Sequence, residues 1–208
     1  MVLEARKIEA VHKLTPIDLE IMRIPVRYHL SSIDYIRDEA MKSKMEKIYD
    51  IFIENEKPGF GAFFRGGFSN GKTYNACAIL KRMKAMKAGF RGLFVDAREM
   101  DDDFMRSEFM SENKRMEDRM KEVDLLVIDD LGSEKKYEAD NVFDIFKFRA
   151  NNLKRTIVTT NLIDQTSFVK AYLFGEKFWD LIGGCSLIVT FESDDNYRLQ
   201  ENKEATKG

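Results

Sequence analysis

Residues Gly66-Gly67-Phe68-Ser69-Asn70-Gly71-Lys72-Thr73 read G-x-x-x-x-G-K-T. Glycines at this spacing let the backbone curl until several amide N–H groups face one point, where a phosphate can sit. A helix beginning at the end of the loop adds the partial positive charge of its N-terminus. Lys72 has the charge and reach for the β- and γ-phosphates of a nucleotide, and the Thr73 hydroxyl is a hard oxygen ligand for Mg²⁺. Together with Tyr74 just beyond them, these eight residues are the expected contacts for ATP or ADP.

A second group completes the chemistry. Asp124-Leu125-Leu126-Val127-Ile128-Asp129-Asp130 is an apolar run ending in two carboxylates. Asp129 is expected to hold Mg²⁺, directly or through water, and Asp130 to orient and deprotonate an attacking water. Phosphoryl transfer depends mainly on positioning and charge neutralisation, so one lysine, one cation and one water-positioning group are a workable minimum. Asn161 follows the β-branched run Thr156-Ile157-Val158-Thr159-Thr160, where a polar side chain would sit next to the γ-phosphate. Taken alone, Asn161 fits an ordinary turn as well. The expected catalytic residues are Lys72, Asp130 and Asn161; the expected metal ligands are Thr73 and Asp129.

These groups work only if strands and helices bring them to one place. Gly61–Arg65 is a short apolar run before the loop, and Tyr74–Lys87 carries apolar residues at helical spacing, with Gly89 as the stop. Gly92–Asp96, Asp124–Asp130, Thr156–Asn161 and Cys185–Phe191 read as further strands. Ser32–Glu54, Ala97–Lys121 and Ala139–Asn151 read as helices, and Thr166–Leu181 as helix broken around Gly175. The Ile24-Pro25 pair argues against helix in the weakly patterned first thirty residues. Strands alternating with helices imply a parallel sheet covered on both faces, with the loops after the strands gathered at one edge.

The chain has 208 residues, 44% of them hydrophobic, and a formal net charge of -2. That suits one α/β domain and argues against a protein that binds nucleic acid by bulk positive charge. Cys77 and Cys185 are too far apart in sequence for a C-x-x-C pair and read as thiols in apolar surroundings. No apolar run is long enough to cross a bilayer, and the first twenty residues carry charges throughout. The expected location is the cytoplasm.

These motifs together resemble the AAA+ ATPases of the bacterial helicase loader type, DnaC and DnaI, with the transposase-helper IstB as a cousin. Val123 to Glu134 matches the family's V-D-L-L-V/I/L-I/L-D-D/E-L/I-G-x-E stretch. Arg155 to Leu162 resembles its sensor 1 strand, and Gly175-Glu176-Lys177 the G-E-R that opens its next helix. Asn196-Tyr197-Arg198 resembles the sensor 2 end, and Ile24-Pro25-Val26-Arg27-Tyr28 the I-P-x-R-F/Y segment before the core.

The resemblance implies a three-layer α/β/α P-loop NTPase fold with a five-stranded parallel sheet and a minimal or absent C-terminal lid. It implies an arm at 1–50, an ATPase core at 51–200 and a polar tail at 201–208. It places Arg198 at the γ-phosphate and Tyr28 near adenine. It implies slow Mg²⁺-dependent ATP hydrolysis, self-association in the ATP-bound form, and two partners: a hexameric replicative helicase and single-stranded DNA. A transposase-helper ATPase and a barely hydrolysing helicase-binding scaffold are the alternatives.

Three departures from the family pattern matter. Ser69 stands where a glycine is usual, so a positive φ there would be strained. Asp130 replaces a commoner glutamate and is one methylene shorter. Leu181 stands where the family places an arginine finger, which leaves Arg149, Arg155 and Lys177 as candidate replacements. Two basic sets remain. Lys81, Arg82, Lys84, Lys87 and Arg91 form one, and Lys114, Arg115, Arg119 and Lys121 the other. Either could track a DNA backbone or be an ordinary charged helix face, and Phe68, Tyr74 and Phe90 are rings that could stack on bases or pack in the core.

Overall fold

The computed structural model describes residues 14–54, 57–100, 111–133, 139–172 and 175–192. The expected tail at 201–208 and Arg198 lie outside these residues, as does whatever stands in place of a lid after residue 192.

Helix α1 (Pro16–Ile21) opens the described chain, where the sequence reading expected none. Thr15 caps it: its hydroxyl accepts from the Asp18 amide, and the Asp18 carboxylate accepts from the Thr15 amide at 3.1 Å. This reciprocal capping box, with proline at the first helical position, was visible in the sequence as Thr15-Pro16-Ile17-Asp18. The expected helix from Ser32 is shorter. A 3-10 turn at Ile33–Tyr35 comes first, with the Ser32 hydroxyl accepting from the Asp34 amide. Helix α2 (Glu39–Glu54) then starts afresh, because the Asp38 carboxylate accepts from the amides of Ala40 and Met41.

Strand β1 (Gly61–Gly66) leads through the glycine loop into α3 (Lys72–Met86), followed by β2 (Gly92–Asp96). Helix α4 (Ser111–Glu122) precedes β3 (Leu125–Leu131); the part of its expected extent at 101–110 lies outside the described residues. Helix α5 (Ala139–Asn151), β4 (Arg155–Thr160), α6 (Gln165–Ala171), α7 (Gly175–Cys185) and β5 (Ser186–Phe191) complete the order.

All five strands are parallel, in the order β2-β3-β4-β1-β5. Alternate strand residues face opposite layers. Phe64, Leu125, Val127 and Ile157 pack against α3 and the segment from Leu19 to Phe52, so residues 14–50 share a core with the sheet. Phe63, Leu126, Ile128 and Val158 pack against α5, α6 and α7, where Phe168 and Phe178 meet edge to face with centroids 5.3 Å apart. At the β2 margin, the Phe94 amide donates to the Met22 carbonyl at 2.8 Å, so the N-terminal segment borders the sheet. No helix among the described residues is long and apolar enough to cross a membrane.

Candidate functional site

The strand order sets the C-terminal end of β1 beside that of β4, and β4 beside β3, so the loop after Gly66, Asn161 and the two aspartates share one edge of the sheet. The loop needs its glycines. Gly66 has φ 144° and Gly71 φ 91°, and a Cβ on Gly66 would lie 2.3 Å from the Phe191 carbonyl oxygen. Ser69 takes φ 60°, the strained conformation expected for a serine in a glycine's place. The Asn70 amide ties the loop to β5 by donating to the Phe191 carbonyl at 2.9 Å.

The Lys72 ammonium lies across the loop. It donates to the carbonyls of Gly66 (2.9 Å) and Gly67, to Asn70 Oδ1 at 3.0 Å and to Asn161 Oδ1 at 3.0 Å. Asn161 turns its other amide atom to Asp130, donating to Oδ1 at 2.6 Å. The Thr73 hydroxyl donates to Asp129 Oδ1 at 2.8 Å. Burial pushes the Asp129 carboxyl above its ordinary value, against the lowering effect of its hydrogen bonds from Thr159 and Thr73. Lys72, Asn161 and Asp130 therefore form one hydrogen-bonded chain and Thr73 and Asp129 a second pair beside it, the two joined through the Thr159 hydroxyl.

Other expected residues stand elsewhere or act differently. Tyr74 sends its hydroxyl away from the loop to Ser32, accepting from the amide at 3.1 Å and donating to the carbonyl at 3.3 Å. Phe68, at the loop tip, is 80% exposed. Tyr28 and Phe90 are buried in the α3-side core. Leu181 packs against the opposite core.

Among the candidate replacements for an arginine finger, Arg149 is fully buried and Arg155 begins β4, at the far edge of the sheet. Lys177 is exposed on α7. Arg149 instead binds main chain. It donates to the carbonyls of Met120, Lys121, Val123 and Arg155, and to the Thr156 hydroxyl. Burial pulls it down to about 9, so it stays charged at neutral pH.

In the first basic set, Lys81 and Arg82 are buried, while Lys87 and Arg91 are exposed. Lys81 is 4% exposed and donates to the carbonyls of His29 and Ser31. Arg82 is 3% exposed, faces Asp34 at 3.7 Å and Glu46 at 3.8 Å, and lies over the Tyr49 ring. Lys84 pairs with Asp18, and Arg91 with Asp124. Lys81, Arg82 and Lys84 thus tie residues 18–49 to α3, whereas Arg91 joins the start of β2 to the turn before β3. In the second set, Arg119 binds the Ile21 carbonyl and Lys121 pairs with Glu117.

One site residue passed unnoticed in the sequence. The Thr159 hydroxyl donates to Asp129 Oδ1 at 2.6 Å and accepts from the Asp130 amide at 3.0 Å. Its only signal was a polar β-branched residue near the end of a buried strand.

The site's donors fit a magnesium nucleotide. The loop is open at Gly67, where a Cβ would meet nothing within 4 Å, and it holds an ammonium group that phosphate oxygens could engage in place of carbonyls. A threonine hydroxyl and a carboxylate oxygen are the hard ligands Mg²⁺ takes when phosphates supply the rest.

A parallel five-stranded sheet with this strand order, a glycine loop and paired carboxylates at one edge defines a P-loop ATPase fold of the AAA+ class. The chain matches the family model for IstB-like ATP binding protein over residues 1–205, and it belongs to that family.

Among solved structures it resembles the DnaC helicase loader, at 30% identity over 80% of this chain and 99% of that one, with a TM-score of 0.65. DnaI superimposes with a TM-score of 0.68 at 21% identity, covering 81% of this chain and 95% of that one. AMPPCP-bound DnaA from Aquifex aeolicus shares the fold, with a TM-score of 0.64 at 21% identity over 85% of this chain and 55% of that one. No curated protein matches the sequence.

Proposed function

We propose that the protein is a slowly hydrolysing, Mg²⁺-dependent ATPase that acts as a replicative helicase loader. The observation carrying the chemistry is the chain Lys72–Asn161–Asp130 beside the pair Thr73–Asp129, all at one sheet edge. In this reading Gly66 to Thr73 and the Tyr74 main chain cradle the phosphates, and Lys72 turns from the loop carbonyls to the β- and γ-phosphates. Thr73 and Asp129 hold the cation, Asp130 orients the attacking water and takes its proton, and Asn161 keeps Asp130 aimed. Bound magnesium neutralises phosphate charge. Arg198, beyond the described residues, is assigned to the γ-phosphate by its motif.

The loader assignment is supported by the 30% identity to the DnaC helicase loader. On this reading the ATP-bound form self-associates in the cytoplasm and holds a hexameric helicase and single-stranded DNA; DnaA, which shares the fold, is known bound to AMPPCP and single-stranded DNA. A second reading, a transposase-helper ATPase, draws support from the IstB-like family match.

Affinity purification of the tagged chain with ATP decides between them: recovery of a hexameric helicase supports the loader, recovery of a transposase the alternative. Lys72→Ala should lose nucleotide binding and helicase recovery together. Normal delivery of helicase by that variant would refute the mechanism.

A further inference from the structure

Asp129 and Asp130 are neighbours in a strand, where consecutive side chains point to opposite faces. Both nevertheless serve the same edge. The explanation lies in the pairing of β3 with β4. Val127 pairs with Ile157 and Ile128 with Val158, but the next pair is Leu131 with Thr160. Three steps along β3 match two along β4, which is a bulge of one residue. The bulge bends the chain at Asp130, which takes φ 59°. Aspartate tolerates this left-handed conformation better than most residues with a Cβ.

A bulge interrupts the main-chain ladder, and here hydroxyls of β4 replace it. The Thr160 hydroxyl donates to the Leu131 carbonyl at 2.6 Å. The Thr159 hydroxyl, on a residue that is 1% exposed, makes two bonds of opposite sense. It gives its one proton to the Asp129 carboxylate and accepts the Asp130 amide. Thr73 and Thr159 take the same Asp129 oxygen, Oδ1, which leaves Oδ2 for a cation.

We propose that Thr159 is a positioning residue for phosphoryl transfer: its hydroxyl locks the bulge so that Asp129 faces the cation and Asp130 faces the attacking water. The inference rests on the ATPase reading and adds to it a residue with no phosphate contact of its own. Valine at this position keeps the shape and removes both bonds, whereas serine keeps the hydroxyl.

The test compares Thr159→Val and Thr159→Ser in the full chain by three measurements: affinity for a fluorescent ADP without metal, the Mg²⁺ concentration giving half-maximal tightening of that binding, and steady-state ATP hydrolysis. Thr159→Val should bind ADP without metal within about threefold of wild type. It should raise the Mg²⁺ midpoint about tenfold and lower kcat about a hundredfold with a smaller change in KM. Thr159→Ser should recover most of both losses, which separates lost positioning from a damaged fold. An unchanged Mg²⁺ midpoint and kcat in Thr159→Val, or equal damage in both variants, would overturn the proposal. A wild-type chain that never hydrolyses ATP, yet whose Mg²⁺ midpoint shifts in Thr159→Val and returns in Thr159→Ser, would refute the ATPase reading and still support the role of Thr159.

Discussion

Lys72 and Asn161, 89 positions apart in sequence, meet through a 3.0 Å hydrogen bond from ammonium to carboxamide oxygen. The same carboxamide holds Asp130. One amide therefore joins the group that would sense phosphate to the group that would activate water.

Asn161→Ala should separate the two functions. Lys72 keeps its three loop acceptors, so nucleotide affinity should stay within about threefold of wild type, while loss of the Asp130 contact lowers kcat about a hundredfold. Equilibrium binding and steady-state hydrolysis on the same preparation check this; equal losses in both would contradict it.

Ser69 sits in a left-handed conformation that glycine adopts without strain. Ser69→Gly relieves about 1–2 kcal/mol of left-handed strain against about 0.4–1 kcal/mol of added unfolded-state entropy, so it should raise stability by about 0.5–1 kcal/mol, roughly 1–4 °C for a chain of this length, without loss of nucleotide binding. Thermal melts decide it, and a lower melting temperature would contradict the strain.

Arg149 gathers carbonyls at the C-terminal end of α4 and the start of β4. Arg149→Met would strand several buried acceptors at once and should cost about 3 kcal/mol or more in urea unfolding. Arg149→Lys keeps the charge but not the planar fork, and should recover only part of that loss.

The Thr15 hydroxyl, and secondarily its amide, hold the Asp18 carboxyl below its ordinary value of 3.8. The folded value lies under the unfolded one, so this stabilisation is complete above about pH 4 and disappears as pH falls through the folded value. Thr15→Ala should cost about 1 kcal/mol at pH 7 and progressively less in acid. Melting temperatures from pH 7 to pH 3 measure the convergence; a constant gap would contradict it.

The glycine loop, the strand ends and the paired aspartates were legible because each is a local pattern of residue type and spacing. The helix over Ala139–Asn151 followed from apolar spacing alone. Other features depended on partners distant in sequence. Nothing around Lys81 or Arg82 announces burial; the carbonyls of His29 and Ser31 and the Asp34 and Glu46 carboxylates that receive them come from a segment some forty residues earlier. The overextended helix at Ser32 had a local cause: its apolar stripe outweighed the break that Asp34 and Asp38 impose. The bulge at Asp130 left no trace in composition, because a slip in register exists only between two strands.

The Met22 carbonyl bonded to the Phe94 amide has a practical corollary for anyone trimming the chain. A version beginning after residue 25 would keep every phosphate-loop residue yet leave β2 an unguarded border, with a main-chain donor seeking a mate. Exposed main-chain donors of this kind invite pairing with a second copy, so a chain trimmed there should aggregate more readily than one that retains Met22.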